Sequence, residues 1–184
     1  MTERRELMIE STRKQIPEDH PIRHLFQALT ERGFEQLQLR DKDTIQYITN
    51  LLTEFVDIDN MFRVKDAAGQ RQFNVFDVLR QANNAVSTQA RRDYYKHVGD
   101  ITLFNLGLYP ESLTHGRHSV SPGFYAEQGR RSYHIVASLD SSRRTIVFRK
   151  LSEQFEQCVV GLNWVKLYIN DPFYQYALRE FGIT

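Results

Sequence analysis

His97 and Asp100 stand three residues apart in the run Asp93 to Leu108, DYYKHVGDITLFNLGL. On a helix that spacing puts an imidazole and a carboxylate on neighbouring positions, where they can share a proton or a cation. The run around them is apolar on nearly every side when wound as a helix, and a helix of that kind is enclosed by others. An ionisable pair taken into such a place must find partners or shift its ionisation. A nearby carboxylate favours the imidazolium while burial opposes it, so the sign for His97 is open at this level. The plainer alternative is a structural hydrogen-bond network in which Asp100 orients His97.

A second group follows Pro122. Glu127, Arg130, Arg131 and His134 occupy offsets of zero, three, four and seven, one stripe about 10 Å long at the usual helical rise. Exposed, such a stripe is a solvated face with weak pairing of Glu127 to an arginine. Turned inward, it brings Glu127 and His134 toward His97 and Asp100. Two imidazoles and two carboxylates are the ligand chemistry of a zinc or non-haem iron site. The spacing is not the Glu-x-x-His pair of carboxylate-bridged di-iron bundles, and a lone histidine on an apolar helix is a poor haem ligand, so no cofactor is assigned. The expected ligand-binding set is His97, Asp100, Glu127, Arg130 and His134, with Tyr94, Tyr125 and Tyr133 as wall or hydrogen-bonding residues. Its partner would be a small molecule or a metal ion.

The remaining polar residues point to less. His115 and His118 flank Gly116-Arg117 in the longest credible loop, which could close over an anion or simply be exposed. His20 and His24 are four apart, but Pro21 puts His20 at or before a helix start, so they need not share a face. Arginine pairs recur at Arg4-Arg5, Arg91-Arg92, Arg130-Arg131 and Arg143-Arg144, side chains suited to bidentate capture of phosphate or carboxylate. With 24 basic and 23 acidic residues the net charge is +1, and no long-range field favours nucleic acid or an anionic membrane. Neither partner is expected. Cys158, the single cysteine, excludes an intramolecular disulfide and lies on an apolar helical stripe, which argues against an activated thiolate. Nucleophile elbows, phosphate loops and dinucleotide fingerprints are absent from the sequence. Whether the protein is an enzyme is therefore left open, since acid or base work needs a substrate that nothing here supplies.

The elements that must position these groups read almost entirely with helical period. Asp19-His20-Pro21 supplies a polar cap and a first-turn proline for a short helix ending near Gly33. Asp41 or Asp43 can cap a second, carrying Ile45, Ile48, Leu51, Leu52, Phe55 and Val56 on three-and-four spacing. Val64 to Gln72 reads as a connection. A third pattern starts at Asn74 and either runs unbroken to Phe104 or is interrupted near Ser87-Thr88, and Gly107 and Pro110 end it. Ser121-Pro122 opens a helix through Leu139. After a turn at Asp140-Ser142, one long stripe of Leu151, Phe155, Cys158, Leu162, Val165 and Ile169 runs to Asp171-Pro172, followed by a short helix from Phe173 to Phe181. No two-residue period demands a strand.

These readings predict an all-α single domain over 1–184, an irregular bundle of six to seven helices with a partly buried central helix and a charged N-terminal arm at 1–18. Without a signal-like segment or a run of membrane-spanning length, a soluble cytoplasmic protein is expected. Twelve Phe and nine Tyr can fill a core or wall a cavity. The leading functional expectation is a helical domain that binds a small ligand or metal ion in an aromatic-lined interior pocket, sensor-like or enzymatic. The alternative is a protein–protein interaction or structural module, docking on a partner or on a second copy as a homodimer through the Leu151–Ile169 stripe or the C-terminal helix.

Overall fold

Capping side chains mark where most of the helices begin. The computed structural model describes residues 7–9, 15–66, 69–71, 74–113, 120–139, 142, 145–171 and 179. Helix α1 (Pro21–Glu35) starts at Pro21 with His20 Nδ1 accepting the Ile22 amide at 3.2 Å, and α2 (Lys42–Glu54) starts where Asp41 accepts the Thr44 amide at 2.9 Å. The four-residue α3 (Ile58–Met61) is capped by Asp57 and α4 (Val75–Asn84) by Asn74. Ser87 caps α5 (Thr88–Leu108) and Ser121 caps α6 (Pro122–Ser138). In each case a side-chain acceptor, the ring nitrogen of His20 or the oxygen of an Asp, Asn or Ser, takes one of the amides that the first turn leaves without an intrahelical acceptor. Helices α7 (Ile146–Glu153) and α8 (Phe155–Asn170) complete an all-α bundle.

The described residues thus form eight α-helices, where the sequence pattern suggested six or seven. The pattern from Asn74 is interrupted: Ala85 is extended, and Ser87 restarts the chain as α5. The long C-terminal stripe is also two helices, broken at Gln154 with φ −113° and ψ 24°. That break has a packing reason, since α7 lies against α6 and α2 while α8 lies against α5 and α1. The connection at Val64 contains a strand, β2 (Val64–Asp66), paired antiparallel with β1 (Leu7–Ile9) in the register Leu7 to Asp66 and Ile9 to Val64. Three residues are too few for a two-residue period to declare itself. The expected helix from Phe173 to Phe181 lies outside the described residues except for Arg179, as do His115 and His118.

Helix α5 is the axis of the bundle. From Tyr94 to Leu108 only Lys96 and Asn105 escape full burial, because α4, α6 and α8 pack around it. Two glycines set how closely those neighbours approach. A Cβ at Gly99 would stand 2.7 Å from the Tyr133 ring, and one at Gly107 would run into the Leu162 side chain. No described helix is long and apolar enough to cross a membrane.

Candidate ligand-binding cleft

Asp100 lies on the inward side of α5 with 0% of its surface exposed. A bare carboxylate there would be untenable, and donors arrive from three directions. Tyr47 of α2 donates to Asp100 Oδ1 at 2.5 Å, and Tyr133 of α6 donates to the same oxygen at 2.9 Å. Lys96, one turn earlier on α5, brings its ammonium to Oδ2 at 2.6 Å. The Lys96 ammonium also lies 5.1 Å from the centroid of the Tyr47 ring, which stands edge-on to Tyr133. Burial, then the Asp100 charge and Tyr47, hold the Tyr133 phenol well above its ordinary value, so it stays a neutral donor.

Of the residues singled out from sequence, the structure brings together Asp100 and Tyr133. His97 is buried on the same helix. Tyr94 is buried toward β1, and burial raises its phenol against the opposing effect of a backbone bond to Ile9. Glu127, Arg130 and His134 do not converge on this centre; all three are exposed. Arg130 instead clamps Glu127 on the surface with Nε at 3.1 Å and Nη2 at 2.8 Å, and that hydrogen bonding raises the guanidinium further. The reason is rotational. The buried face of α6 is Gly129, Ser132, Tyr133 and Val136, the same spacing as the polar stripe moved on by two residues, which is about 200° around a helix. Tyr133 facing inward therefore sends the stripe outward.

Lys96 and Tyr47 were missed from sequence. Lys96 was findable, being four residues before a carboxylate on one helix; Tyr47 comes from a distant helix and gave no local signal. Among the described residues, no three of His, Cys, Asp and Glu come together so as to hold a metal ion. The cation beside Asp100 is the protein's own lysine.

A wide concavity lies elsewhere on α5. Its next turn presents Ile101, Phe104 and Asn105 to a cleft of about 670 Å³. Phe55 and Val56 at the end of α2, with Ile58, Met61 and Phe62 of the α3 segment, form one wall. Tyr109, Glu111 and Ser112 of the 3-10 turn Pro110–Leu113 and its approach form another, and Tyr125 closes one end from α6. Phe104 meets Phe55 edge-on with ring centroids 5.1 Å apart, and Tyr109 at 5.7 Å. At the rim Ile58 keeps 56% of its surface exposed, and Val56 and Tyr109 are exposed beside it. Polar groups are few: Asn105, Ser112 and Glu111, with Lys166 of α8 reaching Glu111 at 3.3 Å and lying over the Tyr109 ring. Tyr125 was the one member of this cleft singled out from sequence. Phe55, Val56 and Phe104 read there only as apolar positions of helical pattern, since periodicity cannot separate a residue facing a filled interior from one facing a cleft.

The fold and cleft define the protein as an all-α helical bundle with an aromatic-walled groove beside its central helix. No protein-family model matches the chain, no curated protein matches its sequence, and no solved structure matches its fold.

Proposed function

We propose that the protein binds a small, largely apolar molecule with one hydrogen-bonding end in the cleft between α2, α3 and α5. The observation that carries this is the cleft itself, about 670 Å³ walled by Phe55, Phe104, Tyr109 and Tyr125. That volume lies within the range of small-molecule sites, and a mostly apolar wall with a few placed polar groups is their usual composition. Asn105 and Ser112 orient the polar end, and the exposed Ile58 and Val56 become covered when the site is filled. The buried Asp100 group supports this reading as scaffold: it ties α2, α5 and α6 together and so fixes one wall.

The test uses the full chain, with native mass spectrometry for any molecule retained on purification and titration with anilinonaphthalene sulfonate as the apolar probe. Saturable one-to-one binding is expected, weakened at least about tenfold by Ile58→Glu, a substitution at an exposed position. Absence of saturable binding, or binding indifferent to Ile58→Glu, overturns the proposal.

A second reading, an interaction module in which two copies meet through α8, is favoured by one observation. Val160 and Leu167 are exposed two turns apart on that helix, Leu167 at 60%, with the half-buried Trp164 between them. Sedimentation velocity decides it: a dimer that Leu167→Glu dissociates supports pairing, and a monomer at all concentrations removes it.

A further inference from the structure

A second, much smaller cavity of about 90 Å³ lies on the other side of α5, between α4 and α6. Its floor is formed by the buried Tyr95 and Ser132, and its mouth by Asn83 and Arg131, with Gln128 and Leu79 at the sides. Ser132 is 1% exposed, and its hydroxyl has no hydrogen-bond partner. Buried polar atoms are almost always paired, so an orphan hydroxyl at the floor of a polar cavity marks a place completed by something that enters it.

The lining says what kind of species that is. Tyr95 donates its hydroxyl to Asn83 Oδ1 at 2.6 Å, which occupies the amide oxygen and leaves the amide NH2 to donate. Gln128 offers a second amide and Ser132 a hydroxyl. Arg131 has no ion pair among the described residues, in contrast to Arg130 beside it, which Glu127 holds. No carboxylate lines the cavity. A second positive charge stands close by, because the Arg91 guanidinium lies 5.8 Å from the Tyr95 ring centroid. Donors with net positive charge and no acid repel a cation, and the space is too small and too polar for the apolar ligand of the larger cleft. At roughly 30 Å³ per water in the liquid, it has room for about three waters or one compact anion.

We propose that this cavity is a binding site for a small oxyanion, a carboxylate group or inorganic phosphate, held by the Arg131 guanidinium in a charge-assisted fork and by Ser132 and Asn83 as neutral donors. The site does not depend on the apolar cleft and can stand or fall without it.

The experiment is a titration of the isotopically labelled full chain, followed by amide chemical shifts, with inorganic phosphate, acetate and chloride in separate arms at constant ionic strength. The expected result is a saturable shift of the Asn83, Tyr95 and Ser132 amides with phosphate or acetate but not with chloride, and the arm that saturates first names the anion. Arg131→Gln, at an exposed position that leaves the fold intact, should weaken binding at least about tenfold, and Ser132→Ala should weaken it less. Shifts that grow without saturating, a response equal in all three arms, or saturable binding that Arg131→Gln leaves unchanged would each overturn the proposal and leave a cavity holding water only.

Discussion

Tyr133 donates its phenolic hydrogen to Asp100 Oδ1 at 2.9 Å, joining α6 to α5 across 33 positions of chain. Asp100 is thereby the acceptor on which three helices agree, since Tyr47 reaches it from α2 and Lys96 from α5 itself. Removing the acceptor is worse than removing one donor. Asp100→Ala leaves a half-buried ammonium and two phenols without their partner, and breaking a buried pair in this way costs about 3–5 kcal/mol. Tyr133→Phe deletes one hydrogen bond to a charged group and keeps the ring packing, a loss of about 1.5–3 kcal/mol. Urea unfolding midpoints of the two variants check the order. A larger loss for Tyr133→Phe than for Asp100→Ala would mean that the carboxylate is not the centre of this network.

The salt bridge at the start of α2 gives a pH dependence. Burial alone would push the Asp41 carboxyl up, but hydrogen bonds from Lys150 and Thr44, with the Lys150 charge, outweigh it and hold the group below its ordinary value. A lowered folded pKa contributes stability that is present above the unfolded carboxylate pKa of about 3.9 and is lost as pH falls through the folded one. Lys150 moves the other way. Hydrogen bonding to Asp41 raises it, so its contribution holds at neutral pH and fades as pH rises beyond the usual lysine range. Asp41→Asn keeps a good capping oxygen and should flatten the acid limb of a melting-temperature profile at little cost near neutrality. Asp41→Ala also loses the cap, about 1 kcal/mol. An acid limb of unchanged steepness in Asp41→Asn would assign the acid sensitivity to other carboxylates.

Much of this fold was legible because its signals are local. The caps at His20, Asp41, Asn74, Ser87 and Ser121 announce helix starts within four residues of chain, and the all-round apolar character of α5 foretold its enclosure. The break at Gln154 was not legible, because Leu151, Phe155 and Cys158 keep helical spacing across it and only the positions of α6 and α1 require the chain to bend. The candidate site divided along the same line. Asp100 stood out because a carboxylate on an apolar helix must have donors, and Tyr133, singled out only as a wall or hydrogen-bonding residue, is one of them. Glu127 and His134 sit on a stripe whose spacing allows either a solvated face or one turned inward, and the apolar residues of α6, which take the opposite face, leave both side chains exposed. The cleft was hidden for a different reason: whether Phe104 faces another side chain or open space depends on where α3 and the 3-10 turn stop, and no residue in either announces that.

Close helix contact makes one glycine substitution destabilising and another stabilising. Where α8 crosses α1, a Cβ at Gly161 would enter the Phe34 ring, and the carbonyl of Gly161 already stands 2.9 Å from the Cβ position of Gly33. Helix propensity favours alanine over glycine by about 1 kcal/mol, but overpacking a fixed core costs about 1–3 kcal/mol, so Gly161→Ala should lower stability. Gly123, exposed in the first turn of α6, has nothing nearer its Cβ position than the Ser121 hydroxyl at 4.0 Å. Gly123→Ala should therefore raise stability by up to about 1 kcal/mol. Thermal melts of both variants read the two signs directly, and a stabilising Gly161→Ala would show that α1 and α8 are free to move apart.

Cys158 supplies a reporter of opening. It is fully buried in α8, and burial, aided by the charge of Glu156, pushes its thiol up to about 12. The thiolate is the reactive form, so at mildly alkaline pH the folded protein should resist an aromatic disulfide reagent for both reasons, lack of access and lack of ionisation. Unfolding removes both at once, and the thiol should then react at the rate of a small-molecule thiol. Labelling followed against urea should track the global unfolding curve, because Cys158 is fully buried on a helix that packs against both α5 and α1. Fast labelling well below the unfolding midpoint would mean that α8 detaches as a unit. That result would also favour the reading in which its exposed Val160 and Leu167 are made to meet a second copy, since a helix that leaves easily is held by little else.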